Sequence, residues 1–332
     1  MAIIAKEDFG KIGVLMGGPS AEREISLKSG KAIFKALLER GINVEAIDIT
    51  TDSIKENAQL LRSRGIDCAF LALHGCFGED GQIQGILEGV GIAYTGSGVL
   101  ASRLAMDKIA SRRIFEQKGL NVPRYKVLEK NVPKARFALE EDFSFPLVVK
   151  PASNGSSIGL SIVDGEGSFS DAIENAFNFD RKIIIEEYLR GREVTVGILD
   201  ERPLPVIEVI PKRRFFDFEA KYQSGLTEYV VPAELEFSVA RAAQDAAQRA
   251  HKLLGCSGCS RVDIILNKDS IPFILEVNTI PGFTATSLLP KAAGAAGIDF
   301  GQLCIRLIEL AYEKTKTEFS RSPSGEKAQG QF

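Results

Sequence analysis

Apolar residues gather early in the chain in short runs, each followed by a stretch with helical spacing. Lys11–Met16 carries Ile12, Val14, Leu15 and Met16 together and predicts a buried strand. Ile25, Ile33, Phe34, Leu37 and Leu38 then recur on one face of a helix expected from about Ala21 to Arg40, which Gly41 stops. Val44–Ile49 and Cys68–Leu73 read as further strands. Between them, Thr51–Arg64 reads as a helix begun by the capping run Thr51-Asp52-Ser53. Strands alternating with helices imply a parallel sheet with covering helices. The glycine-rich turns after the first and third strands fall at strand C-terminal ends, where open α/β sheets bind ligands.

The pattern then changes. Met106–Lys118 predicts a helix ended by Gly119. Tyr125–Leu128, Leu147–Lys150, Leu160–Val163 and Lys182–Glu187 read as strands around one helix, Ser168–Phe179, in a small α+β unit. Thr195–Leu199, Val206–Ile210, Ser260–Leu266 and Ile271–Val277, with helices at Phe237–Leu254 and Phe300–Lys314, predict a more antiparallel third unit. Arg213–Pro232 mixes Phe215, Phe216, Phe218, Tyr222 and Tyr229 with charges and has no period. A connection of that length is either an active-site lid or a sign of misassigned elements; we read it as a lid. The polar end, residues 316–332, is expected to be a disordered tail.

Composition narrows the function. The 332 residues are enough for two or three domains. The 41 basic and 44 acidic side chains leave a formal charge of −3, which argues against a general nucleic-acid binder. With only His74 and His251 in the chain, a zinc site of several histidines is out. No apolar run suits a signal peptide or approaches the ~20 residues of a membrane helix, so a cytoplasmic protein is expected. Five cysteines, an odd number, fit reduced thiols. The lone pair Cys256 and Cys259 reads as a turn in preference to a redox or metal site, because a zinc ribbon needs a second pair.

The sharpest local chemistry lies in Arg261-Val262-Asp263 and Glu276-Val277-Asn278. Residues two apart on a strand share a face. If these strands pair, Asp263, Glu276 and Asn278 form a cluster of hard oxygen ligands suited to Mg²⁺ between protein and phosphate. A solvated polar strand face is the plainer alternative. After Lys150, the loop Ser153–Gly159 offers small residues, backbone N–H groups and hydroxyls to phosphate, although a flexible hairpin turn would look the same. It is not a Walker A loop, since no Gly-Lys-Ser/Thr follows. Lys108 alone reads as a surface lysine. Glu22, at a helix start after Gly17-Gly18-Pro19-Ser20, either counters a substrate ammonium or complements the helix dipole. His74 follows a buried strand, where a structural and a site role are equally open; His251, with no motif around it, reads as structural. The absence of GxGxxG disfavours a nicotinamide-dependent oxidoreductase.

Taken together, these motifs resemble the ATP-grasp superfamily, and within it the D-alanine–D-alanine ligase family. The segments GGPSAEREISLKSG, LHGCFGEDGQIQG, MDK, PLVVKPASNGSSIG, IIEEYLRGREVTVGIL, FEAKY, RVDIIL and LEVNTIPGFTATSLLP run in the family's order across about residues 11–313. The resemblance implies a three-domain ATP-grasp fold of α/β and α+β units. Its parts are a parallel N-terminal α/β domain (1–96), a small central α+β domain (97–185) and a C-terminal α+β domain with an antiparallel sheet (186–315). It implies that Lys108 and Lys150 contact ATP phosphates and that Lys221 reaches them or the second substrate's carboxylate. Glu186 would accept from the adenine amino group, Tyr188 and Leu189 would form the hinge beside it, and Glu193 would bind the ribose. Asp263, Glu276 and Asn278 would hold two Mg²⁺ or Mn²⁺ ions. Glu22 would take the first D-alanine's ammonium, linked through Ser156 to Tyr222, with His74 near a substrate carboxylate. Arg261 and the Gly282 N–H would stabilise an oxyanion, and Ser287 and Leu288 would position the second D-alanine. The implied activity is ATP-dependent joining of two D-alanines through a D-alanyl phosphate, for peptidoglycan precursor synthesis, by a homodimer. Tyr222 favours the dipeptide over an ester with D-lactate. A related ligase with another acceptor and a non-catalytic nucleotide sensor are the competing readings; the complete set of lysines and metal ligands speaks against the sensor.

Overall fold

The computed structural model of the chain describes residues 9–130, 143–155, 158–212 and 227–321. Three sheets follow one another along the sequence. The first is parallel, in the order β2 (Val44–Ile49), β1 (Ile12–Gly17), β3 (Cys68–Leu71), β4 (Ala93–Tyr94). β1 is buried at every position, as expected of a strand covered on both faces. Helices α1 (Arg23–Glu39), α2 (Ile54–Arg64) and α3 (Gln82–Val90) connect these strands. The expected cap of α2 is present: the Ser53 side chain accepts from the Glu56 N–H.

Two short helices follow, α4 (Val99–Met106) and α5 (Lys108–Gln117). The expected helix Met106–Lys118 corresponds to the second of these. Asp107 starts it, because its extended backbone lets the carboxylate accept from the N–H groups of Ile109 and Ala110.

The second sheet is antiparallel, in the order β5 (Tyr125–Glu129), β8 (Lys182–Glu187), β6 (Leu147–Pro151), β7 (Ser161–Val163). Its core of Leu147, Val149, Ile183 and Ile185 packs under α6 (Phe169–Phe177). The third sheet runs β12 (Thr227–Val230), β11 (Ile207–Pro211), β9 (Gly191–Leu199), β13 (Cys259–Asn267), β14 (Pro272–Asn278), with β10 (Arg202–Pro203) beside β9. α7 (Phe237–Leu253) lays an alanine stripe, Ala243, Ala246, Ala247 and Ala250, towards it. α8 (Leu288–Ala295) and α9 (Phe300–Arg321) close the described chain.

Packing ties these layers together. Leu303, Leu307 and Ile308 of α9 share one core with Ile12 and Val14 of β1 and with Leu199 and Ile207 of the third sheet. Ala101, Ala105 and Phe115, from α4 and α5, join the core of the third sheet with Val196, Val262 and Val277.

Several expectations need correction. β3 ends at Leu71, not Leu73. The segment 213–232 is not without structure throughout, because Thr227–Val230 pairs with β11 as an edge strand. Its remainder, 213–226, lies outside the described residues. The last helix continues to Arg321, so the expected tail from 316 begins as helix; residues 322–332 lie outside the described residues. α3, α4, β4 and α8 were not foreseen.

Candidate active site

β13 and β14 pair in antiparallel register, with Asp263 opposite Glu276 and Arg261 opposite Asn278. The two-residue spacing therefore places all four on one face, as the sequence suggested. Asp263 is held on several sides. Arg261 donates to it through Nε (2.8 Å) and Nη2 (2.6 Å), the Thr195 hydroxyl donates at 2.7 Å, and Asn278 Nδ2 donates at 3.2 Å. Thr195 was missed by sequence reasoning. The available signal was its position on β9 two residues after Glu193, on the same face.

Two cavities flank this face. The first, of about 330 Å³, lies between the second and third sheets. Val148, Leu160 and Ile162 form one wall and Val209, Ile265 and Leu275 another, giving an apolar slot for a flat ring. The cavity is also lined by Lys108, Lys150, Glu186, Tyr188, Leu189 and Glu193, which the resemblance assigned to ATP, and by Asp263 and Glu276, which it assigned to the metal ions. Lys221 lies outside the described residues.

The lysines in this slot are already paired. Lys150 Nζ lies 2.8 Å from Glu186 Oε1, and both are buried. Arg112 pairs with the other oxygen of Glu186. Burial works against ionisation of Glu186, but Arg112 and Lys150 outweigh it and hold the carboxyl below its ordinary range. Burial, with the Arg112 and Lys108 charges, pushes Lys150 down to about 8 despite Glu186. Lys108 Nζ donates to the Asn154 carbonyl at 2.7 Å and lies 3.3 Å from Glu276 Oε2. Arg112 stands four residues after Lys108 on α5, a helical spacing that offered the clue to it.

The second cavity, of about 490 Å³, is lined by Glu22, His74, Arg261, Asn278, Gly282, Ser287 and Leu288. Lys28, Glu79 and Tyr229 also line it and were not anticipated. Glu22 is buried at the start of α1. Ser156 and Tyr222, expected to link to it, lie outside the described residues. His74 Nδ1 is 3.1 Å from the Ile280 carbonyl, which can only accept. The proton therefore sits on Nδ1, and Nε2 accepts from Ser29 Oγ at 3.0 Å. Ser29 Oγ in turn receives the Phe283 N–H at 3.2 Å. Burial dominates the imidazole and pushes its pKa down, against the pull of Glu22. A neutral His74 thus fastens α1 to the loop that carries Gly282.

Glu79 takes the Gly75 N–H at 2.8 Å, and burial, then the Glu22 charge, push its carboxyl well above the ordinary range. A small gap lies beside both cavities. It shares Lys108 and Glu276 with the first, and Glu79, Gly155 and Asn278 with the second.

The donor set fits a divalent cation. Two carboxylates and one amide face the lysines with oxygen atoms alone and no soft ligand. Among the described residues no group of three or more His, Cys, Asp or Glu gathers for a metal, and this cluster itself has two carboxylates and an amide. Cys256 and Cys259 are free and buried, and burial pushes both thiols up to about 12. No described helix is long and apolar enough to cross a membrane.

An apolar slot, buried lysines and an oxygen cluster beside a second polar cavity suit a nucleotide next to a small polar molecule. Sequence profiles named D-ala D-ala ligase N-terminus and C-terminus match residues 50–97 and 114–309. The chain is 50% identical over 301 residues to the D-alanine–D-alanine ligase of Geotalea uraniireducens, covering 91% of this chain and 95% of that one. The structure of the Bacillus anthracis D-alanine–D-alanine ligase complexed with ATP superposes with a TM-score of 0.80 at 35% identity, over 93% of this chain and 99% of that one. The VanG D-Ala:D-Ser ligase from Enterococcus faecalis also gives 0.80, at 32% identity, over 91% and 99%. The chain belongs to the D-alanine–D-alanine ligase family.

Proposed function

We propose that this chain joins two D-alanines in the cytoplasm, with ATP in the first cavity and the amino acids in the second. The observation that carries this reading is the gap between the cavities, walled by Lys108, Glu276 and Asn278. A γ-phosphoryl group reaching through it would meet a carboxylate lying against Arg261.

A free carboxylate is a poor acyl donor because oxide would have to leave. The first D-alanine's carboxylate oxygen attacks the γ-phosphorus, ADP departs, and a D-alanyl phosphate forms. The second D-alanine's neutral amine then attacks the carbonyl carbon, and phosphate leaves. Glu22 binds the first ammonium. Lys108, Lys150 and Lys221 orient the phosphates, and Glu186, Tyr188, Leu189 and Glu193 hold the nucleoside. Arg261 and the Gly282 N–H accept the charge of the tetrahedral oxyanion, and Ser287 and Leu288 seat the second substrate. By the same proposal Ser156 and Tyr222 would link to Glu22, and the segment 213–232 would serve as a lid that keeps water from the acyl phosphate. Asp263, Glu276 and Asn278 would hold two Mg²⁺ or Mn²⁺ ions. Bound there, such ions supply charge neutralisation for phosphoryl transfer.

We also propose the division 1–96, 97–185 and 186–315 and a homodimeric assembly. The first sheet lies within 1–96 and the third within 186–315, whereas β8 of the second runs on to Glu187, and α4 and α5 pack with the third. Phosphate release from ATP and Mg²⁺ should depend on D-alanine and not on L-alanine. Turnover only with another amino acid would reject this reading. The likeness to a D-Ala:D-Ser ligase raises a second acceptor, so D-serine and D-lactate competing against D-alanine complete the assay.

A further inference from the structure

Arg112 is a fully buried arginine. It lines neither cavity. Its guanidinium carbon lies 5.2 Å from the centre of the Tyr125 ring, and Nη2 pairs with Glu186 Oε2. Among the described residues Nε and Nη1 have no hydrogen-bond partner. Burying a cation with so little compensation is costly, and a purely structural role would be better filled by an apolar side chain of similar size.

The neighbouring pair explains what the cation can do. Glu186 lies between two positive groups, Arg112 behind it and Lys150 facing the nucleotide cavity. Lys150 has two competing partners. In the nucleotide-free protein it sits 2.8 Å from Glu186. To reach a phosphate it must loosen that contact. With Lys150 as its only counter-charge, Glu186 would then be left as a buried, unpaired anion. Arg112 stays with the carboxylate when the lysine moves.

We propose that Arg112 is a positioning residue of the nucleotide site, keeping Glu186 an oriented anion while Lys150 transfers to phosphate. The anion can accept from a purine bearing a 6-amino group and repels one bearing a 6-oxo group. Arg112 therefore sets both the affinity for the triphosphate and the preference for adenine over hypoxanthine. This rests on the proposed contact of Glu186 with the purine.

The test compares wild type, Arg112→Met, Arg112→Lys and Glu186→Gln, each with ATP and with ITP at saturating D-alanine. Arg112→Met is expected to raise KM for ATP about tenfold with kcat changed less than about threefold, the mark of lost binding without lost chemistry. It is also expected to lower the ATP-to-ITP preference in kcat/KM about tenfold, because one charged contact to the base is weakened. Arg112→Lys, with a shorter arm and no planar fork, is expected to fall between, with KM for ATP raised about threefold. A folded Arg112→Met with wild-type KM and preference overturns the proposal. If that variant does not fold, a wild-type KM in Arg112→Lys overturns it. An unchanged preference in Glu186→Gln instead rejects the contact between Glu186 and the purine, and with it the selectivity assigned to Arg112.

Discussion

The Lys108 ammonium lies 3.3 Å from the Glu276 carboxylate, joining the first residue of α5 to the edge strand β14. On the proposed reading the first would contact phosphate and the second metal, and a metal–nucleotide complex would free both charges together. Glu276→Gln keeps the size of the side chain but removes one of only two carboxylates in the oxygen cluster. It is expected to lower turnover at least about 100-fold, because the charge clamp on the phosphoryl group is broken. Phosphate release and a thermal melt check this. Near-normal turnover in a folded variant would contradict the metal assignment.

Gly75 has a φ of +73°, and a Cβ built on it would lie 2.7 Å from Glu22 Oε2. Gly75→Ala is expected to displace the Glu22 carboxylate and raise KM for D-alanine about tenfold, while KM for ATP moves less than about twofold. The left-handed backbone adds a stability cost of about 1–2 kcal/mol, readable in a denaturant titration.

Burial, ahead of the neighbouring charges, pushes the Lys150 ammonium down to about 8. Phosphate binds the charged form, so binding above that pH requires uptake of a proton. ATP affinity, measured without D-alanine, is therefore expected to weaken from pH 8 upwards, approaching tenfold per pH unit. Affinity that stays level to pH 9.5 would contradict transfer of Lys150 to the phosphates.

His251 is buried, with Nδ1 2.8 Å from Ser260 Oγ, and burial holds its pKa down to about 4. The unfolded chain binds this proton near 6.5, so it carries more protons than the folded chain between 6.5 and 4. The stability contribution is complete above 6.5 and is lost as pH falls towards 4. Lowering the pH from 6.5 to 5 should cost roughly 1.5 kcal/mol through this residue. His251→Gln is expected to flatten that slope in urea titrations.

Strand alternation is a local rule, and it placed Asp263, Glu276 and Asn278 on one face; the register of β13 against β14 brought the three together. The other expected site residues came from the resemblance of whole motifs and not from periodicity. What escaped depends on contacts between distant segments. Arg112 reaches Glu186 across 74 residues of chain, and Ser29 reaches the Phe283 N–H across 254. No local pattern encodes such pairs. The missed strand Thr227–Val230 is an edge, half exposed, with no apolar alternation to announce it. The unforeseen helix Val99–Met106 ends where the Asp107 cap starts the expected one.

The central claim is that the first D-alanine is activated as an acyl phosphate in the gap between the two cavities. D-Alanine carrying ¹⁸O in both carboxylate oxygens tests it directly. Attack of that carboxylate on the γ-phosphorus leaves one of its oxygens on the phosphate that is finally released. Mass spectrometry of the phosphate should therefore find one ¹⁸O atom per molecule formed. Phosphate free of label, alongside normal dipeptide formation, would contradict the account.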